Sequence, residues 1–252
     1  MPVSYDRSNP SGALPIWPGN PPPEDGDSTV HTHSRPRVRR WAVRLTALLS
    51  ASAACLTTWT GVASAHGSVV DPASRNYGCW QRWGSDFQNP AMAQQDPMCW
   101  QAWQANPNAM WNWNGLYRNG LGGNFQAGIP NGQLCSGGHA EGGRYNSLDA
   151  VGAWKTTNIR NNFTVQLYDQ ASHGADYFLV YVTRPGFDPT RQALTWNDLQ
   201  LLTRTGRYGP SQNYSINVST SGRTGRAVVF TIWQASHMDQ TYFLCSDVNF
   251  TG

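Results

Sequence analysis

After residue 160 the apolar side chains of this chain fall on alternate positions in short runs, and glycine and proline separate the runs. Phe163, Val165 and Leu167 share one face of the first run. Tyr177–Thr183, Tyr214–Val218, a run carrying Val228, Phe230 and Ile232, and Tyr242–Phe250 follow. Gly174, Pro185-Gly186, Gly209-Pro210 and Gly222 stand between them. A two-residue period puts every second side chain on one face of a strand, so the pattern predicts an all-β fold, an antiparallel β-sandwich. The first strand is expected much earlier, at Gly67–Val70. Between it and Asn161 the chain is dense in Gly, Asn, Gln, Pro and Trp, which predicts a long loop insertion with short helices around 91–104 and 148–155. Irregular stretches of that length inside a domain are commonly functional.

The first 65 residues belong to a different kind of sequence. Residues 1–34 are rich in Pro, Ser, Asp and Gly without apolar periodicity and are expected to be a disordered extension. Residues 35–65 join a basic start (Arg35, Arg37, Arg39, Arg40), a mostly apolar run and Ala63-Ser64-Ala65, the layout of a secretory signal peptide with its cleavage site. A membrane span fits less well, because Arg44 and several Ser and Thr interrupt the run. Arg39-Arg40 leaves open whether export runs through the general or the twin-arginine route. The expected product is a secreted, extracellular domain of residues 66–252, acting as a monomer.

Processing changes the charge and the cysteine arithmetic. Beyond residue 65 twelve basic side chains stand against eleven acidic ones, Lys155 is the one lysine, and no charge run exists. That excludes a phosphate-tracking stripe and a polybasic membrane patch, so neither nucleic acid nor membrane is an expected partner. Five cysteines would leave one unpaired, but Cys55 departs with the leader and Cys79, Cys99, Cys135 and Cys245 remain. Of the three possible connectivities, Cys79 with Cys99 and Cys135 with Cys245 is favoured: the first closes the Trp-rich insertion on itself and the second ties it to the last strand. Trp80, Trp83, Trp100, Trp103, Trp111 and Trp113 crowd that insertion. A core does not need such clustering, and aromatic faces suit uncharged partners. Trp80, Trp83, Trp100 and Trp103, beside the cysteines, are expected to pack a local core.

Cleavage after Ala65 exposes His66 as the amino terminus. A terminal histidine can chelate one metal ion through its α-amine and ring Nδ1, and the α-amine loses its proton far more easily than a lysine. A second imidazole, from His139, His173 or His237, would complete three planar nitrogens, a geometry suited to copper(II).

The run His66-Gly67-Ser68-Val69-Val70-Asp71-Pro72-Ala73-Ser74-Arg75 resembles the mature start of the bacterial lytic polysaccharide monooxygenases of auxiliary activity family 10, once classed as carbohydrate-binding modules of family 33. Asn124-Phe125-Gln126-Ala127-Gly128, Ala171-Ser172-His173 with Tyr177-Phe178 and Thr183-Arg184-Pro185, and Trp233 through Asp247-Val248-Asn249-Phe250 resemble later segments of the same family. The resemblance implies an immunoglobulin or fibronectin III-like sandwich and one copper ion held by both nitrogens of His66 and by His173. It places Tyr242 near the copper axis, where Phe is commoner; the adjacent Phe243 would face the other side of the strand. Ala171 matches a small residue beside the open axial position. Gln240, on the same strand face as Tyr242, matches a position held by Glu or Gln in relatives.

The implied reaction is oxidative cleavage of glycosidic bonds at C1 or C4, with oxygen or hydrogen peroxide as co-substrate and an external electron donor. Hydrolysis is the poorer reading, since it needs two carboxylic groups and Glu141 is the one glutamate after the leader. Trp111-Asn112-Trp113-Asn114 resembles a segment of cellulose-active members, which nominates Trp111, Asn114 and Tyr117 for substrate contact and favours crystalline cellulose over chitin. A non-catalytic carbohydrate-binding protein and a copper carrier of the sandwich type are the competing classes, and fold does not decide among them.

Overall fold

The computed structural model describes residues 66–252; the expected extension at 1–34 and leader at 35–65 lie outside the described residues. β1 (Gly67–Asp71) is followed by the insertion, which carries α1 (Arg75–Trp83), α2 (Met92–Gln95), α3 (Pro97–Ala105) and α4 (Asn108–Trp111). A short strand β2 (Tyr117–Asn119), α5 (Phe125–Gly128) and β3 (Thr157–Ile159) complete it. The sandwich proper is β4 (Asn162–Asp169), β5 (Ala175–Thr183), β6 (Leu199–Arg204), β7 (Asn213–Ser219), β8 (Gly225–Ala235) and β9 (Gln240–Phe250).

One sheet has the order β1-β4-β7 and the other β2-β9-β8-β5-β6, with β3 running parallel along β9. Every other pairing is antiparallel, so the expected sandwich is the observed one. β7 alternates exposed and buried residues along its whole length. β8 and β9 do not: β9 is buried at nearly every position. Its inner face meets the strands of the sandwich, with Tyr242 stacked on Trp233 and Phe250 against Phe163. Its outer face lies beneath the insertion, where Phe243 meets Phe125, Cys245 joins Cys135 and Asp247 pairs with Arg75 at 2.7 Å. A strand covered on both sides has no reason to alternate in polarity.

Both favoured disulfides are formed, Cys79–Cys99 and Cys135–Cys245. The 91–104 stretch forms two short helices, as expected, separated at Asp96, whose backbone leaves the helical region ahead of Pro97. The other helical expectation needs correction. The 148–155 stretch is not helical: one 3₁₀ turn spans Asn146–Asp149, and beyond it the amide of Gly152 donates to the Pro189 carbonyl at 3.1 Å while the Trp154 indole donates to the Ala150 carbonyl. Those tertiary bonds take the place of a helical ladder. α1 was not expected. Its sequence, with Gly78 and three aromatic residues, is a poor helix former; the buried Arg75–Asp247 pair and the Cys79–Cys99 bridge hold it by tertiary contact.

Candidate metal centre

His66 is placed by its neighbours. Gly67 pairs with Asp169 in the β1–β4 ladder, the amide of Gln170 donates to the His66 carbonyl at 2.8 Å, and the amide of Gly67 donates to the Asn114 carbonyl at 2.7 Å. The turn after β4 and the insertion thus grip the chain on both sides of this residue. A Cβ on Gly67 would stand 2.6 Å from the Trp233 ring and 2.8 Å from the Tyr168 carbonyl, so the residue after His66 has to be glycine.

The turn from β4 to β5 is organised by Asp169, which is fully buried at the end of β4. Its carboxylate accepts the backbone N–H of Ala171 at 3.1 Å and the backbone N–H of His173, and lies 2.9 Å from the Nδ1 of His173. An acceptor-only group at Nδ1 fixes the proton there and leaves the Nε2 lone pair free to bind a metal. Ser172 at φ 56° and Gly174 at φ 78° turn the chain sharply on either side of His173. The histidine carbonyl accepts from Ser236, and the Trp233 indole donates to the Gly174 carbonyl at 3.0 Å. The sequence reading missed Asp169. Its signal is an aspartate bonding the amide two residues on, an Asx-turn immediately before the histidine.

The three internal histidines separate in space. His173 is buried with its ring against Asp169. His237, exposed on the β8–β9 turn, brings its ring to 4.1 Å from that of His173, a contact with no local signal in the chain. His139 is exposed and sits at φ 61° in the insertion. Among the described residues no group of three or more His, Cys, Asp or Glu side chains gathers to hold a metal ion. A chelate made of two imidazoles and a backbone amine is not such a group.

Tyr242 lies opposite Trp233 in the β8–β9 ladder and stacks on it at 4.2 Å, and Trp233 in turn lies 6.4 Å from the His173 ring. The Tyr242 phenol donates to Oε1 of Gln240 at 3.2 Å, and the Gln240 amide donates to Asn119 at 3.2 Å. Burial pushes this phenol well above the usual tyrosine range, so it stays protonated. Phe243 points to the opposite face, as strand geometry requires. Ala171 is exposed in the turn beside His173.

Of the residues nominated for substrate contact, Asn114 is the one tied to the histidine turn, through its carbonyl to Gly67 and its amide to the Gln170 side chain at 2.9 Å. Trp111 is 44% exposed, with one side of its ring against Phe87 and Trp103. Tyr117 is half-buried: it pairs with Tyr242 across β2–β9, and its ring packs on that tyrosine at 5.6 Å. The remaining tryptophans divide. Trp103 is buried, Trp83 donates to Asp96, and Trp80 stacks with Trp113 and Tyr77 into a partly exposed aromatic ridge.

Comparison with known proteins gives this arrangement relatives. Residues 66–248 match the family described as lytic polysaccharide mono-oxygenase, cellulose-degrading. A crystal structure of a lytic polysaccharide monooxygenase from Kitasatospora papulosa is 80% identical with a TM-score of 0.73, over 74% of this chain and 98% of that one. The chitin-binding protein CbpD of Pseudomonas aeruginosa is 33% identical over 200 residues, 75% of this chain and 49% of its own. A lytic cellulose monooxygenase of Streptomyces ambofaciens is 31% identical over 234 residues, 86% of this chain and 62% of its own. The chain spans about half the length of the first of these curated relatives.

Proposed function

Because the chain belongs to the lytic polysaccharide monooxygenase family, a family of copper-dependent oxidoreductases, we propose that it oxidatively cleaves crystalline polysaccharide, with cellulose as the favoured substrate and oxidation at C1 or C4. The observation that supports the reading is the pairing of β1 with β4 together with the hydrogen bond from the Gln170 amide to the His66 carbonyl, which attach His66 to the turn that carries His173, whose Nδ1 is already engaged by Asp169. The donor set fits copper: two imidazoles and an α-amine offer three nitrogens. His66 would hold the ion by its amine and Nδ1, and His173 by Nε2. Copper, when bound, supplies one-electron redox chemistry with oxygen or hydrogen peroxide as co-substrate and an external donor as the source of electrons.

The surrounding side chains have separate tasks in this proposal. Tyr242 would line the site as a neutral phenol, its proton directed to Gln240. Gln240, held by Asn119, keeps that phenol in one orientation. Ala171 leaves the approach to the centre free of bulk. Asn114, half-buried beside Gly67, would meet sugar hydroxyls, and the open side of Trp111 would stack on a sugar ring. Tyr117 would act from its half-buried position as the support of Tyr242 at the edge of that face. An uncharged crystal surface suits a processed chain with a balance of +1. Secretion through the 35–65 leader, with cleavage before His66, completes the proposal, and the monomer suffices for it.

Incubating the processed, copper-loaded protein with cellulose and with β-chitin, each with ascorbate, tests it by product mass. The expected result is oligosaccharides from cellulose that lack two hydrogens, as the lactone or ketone, or carry one added oxygen after hydration, as the aldonic acid or ketone hydrate. Products from chitin alone would overturn the substrate, and none from either would overturn the activity.

A further inference from the structure

On the outer face of the larger sheet, away from the insertion's tryptophans, an open groove of about 420 Å³ runs beside α5. Its lining includes Asn124, Gln126, Tyr177, Tyr181, Trp196 and Arg204. Arg204 is the one charged residue in that lining. Its guanidinium lies over the Tyr177 ring at 4.0 Å from the centroid, and among the described residues no carboxylate comes within ion-pair distance of it. An arginine whose face is stacked on an aromatic ring keeps its in-plane N–H donors free, and a planar fork of that kind matches a carboxylate. Half-buried aromatic walls and two amides are what the ring faces and hydroxyls of a sugar chain require. The groove shares Gly123 and Tyr177 with a neighbouring depression of about 350 Å³ that contains His237, whose ring lies 4.1 Å from that of His173.

We propose that this groove binds a soluble β-linked polysaccharide strand carrying uronate groups, with Arg204 pairing to a uronate carboxylate and Tyr181 and Trp196 lying along the sugar rings. A rigid crystal face cannot enter a concave groove, whereas one solvated strand can, so the site is separate from the face around the metal centre. A strand lying in it leads toward the rim at His237. The role rests on the reading of the chain as a polysaccharide-active protein, but its test needs no metal.

Calorimetric titration of the metal-free processed protein with cellohexaose and with the corresponding hexaglucuronate isolates the carboxylate, because the two share one backbone. The hexaglucuronate is expected to bind more tightly and to weaken as salt rises. Arg204→Gln should lose about tenfold in that affinity. Arg207→Gln, which changes an exposed arginine 3.6 Å from Asp176, should lose little. Retention on crystalline cellulose should be unchanged in Arg204→Gln, so a failure of the metal-centre proposal and a failure of this one read out separately. Equal affinity for the two hexasaccharides, equal losses in the two arginine variants, or an Arg204→Gln protein that binds the hexaglucuronate like the parent would each overturn the proposal.

Discussion

The sandwich holds its histidines with a β-ladder and one buried carboxylate, whereas the insertion holds its tryptophans with a disulfide, an ion pair and packed rings. His66 and His173 stand at the same end of the β1–β4 ladder, His66 just before Gly67 and His173 in the turn after Asp169, whose carboxylate accepts the amides of Ala171 and His173. The insertion has only short helices, and its order comes from the Cys79–Cys99 bridge, the Arg82–Asp96 pair at 2.8 Å and rings packed tilted or edge-on against rings. The two regions meet along the outer face of β9, through Cys135–Cys245 and Arg75–Asp247. The difference teaches a division of labour. Groups that must be held to a fraction of an ångström stand on the ladder, and groups that meet a variable surface stand on the part of the fold that side-chain packing can remodel.

Substitutions on either side should therefore separate metal affinity from stability and substrate retention. The largest effect is expected at His173: His173→Ala should abolish tight copper binding and copper-dependent product formation with thermal unfolding of the metal-free protein unchanged. His237→Ala should keep most of both despite its contact with His173. Equal losses in the two, measured by copper titration, would break the assignment. In the insertion, Cys79→Ala with Cys99→Ala should cost about 2–4 kcal/mol of unfolding free energy while the copper affinity of the folded protein stays at the parent value. A fall in affinity alongside it would show that the two regions are not independent.

Asp169→Asn comes next. It keeps the shape but loses the acceptor-only group at Nδ1, so copper affinity should fall by about 10- to 100-fold. An affinity equal to the parent would remove Asp169 from the account. The smallest effect is expected for Trp111→Ala, a loss of about severalfold in retention on cellulose, since one exposed ring is worth roughly 1 kcal/mol. Copper affinity should not move. Normal retention would assign Trp111 to packing against Phe87 and Trp103.

What the sequence disclosed follows the same line. The apolar runs announced β4, β5, β7, β8 and β9, with alternation clearest in β7, whose one face is in water, and absent from the burial of β9, which is covered on both sides. β2 and β3 are three residues each, too short to show a period, and β6 carries Leu at three of its first four positions, with Leu201 exposed. α1 left no helical signal because its order is tertiary. At the metal centre, the residue types of His66 and His173 could be read from the cleavage motif and the family segments. Asp169 was written in the chain as an Asx-turn and overlooked. The His237 contact depends on where the β8–β9 turn lands, and the freedom of Arg204 on which carboxylates surround it; neither is local in sequence.

The central claim is that the α-amine of His66 is itself a metal donor. Its most direct test is a copper titration, followed by electron paramagnetic resonance, of two secreted forms differing by one residue: one beginning at His66 and one with a single added glycine before it. The account predicts one tightly bound copper ion with a nitrogen-rich signature in the first form. In the second, where the amine has become an amide, it predicts loss of tight binding and a changed signature. Equal affinity and the same spectrum in the two forms would contradict it.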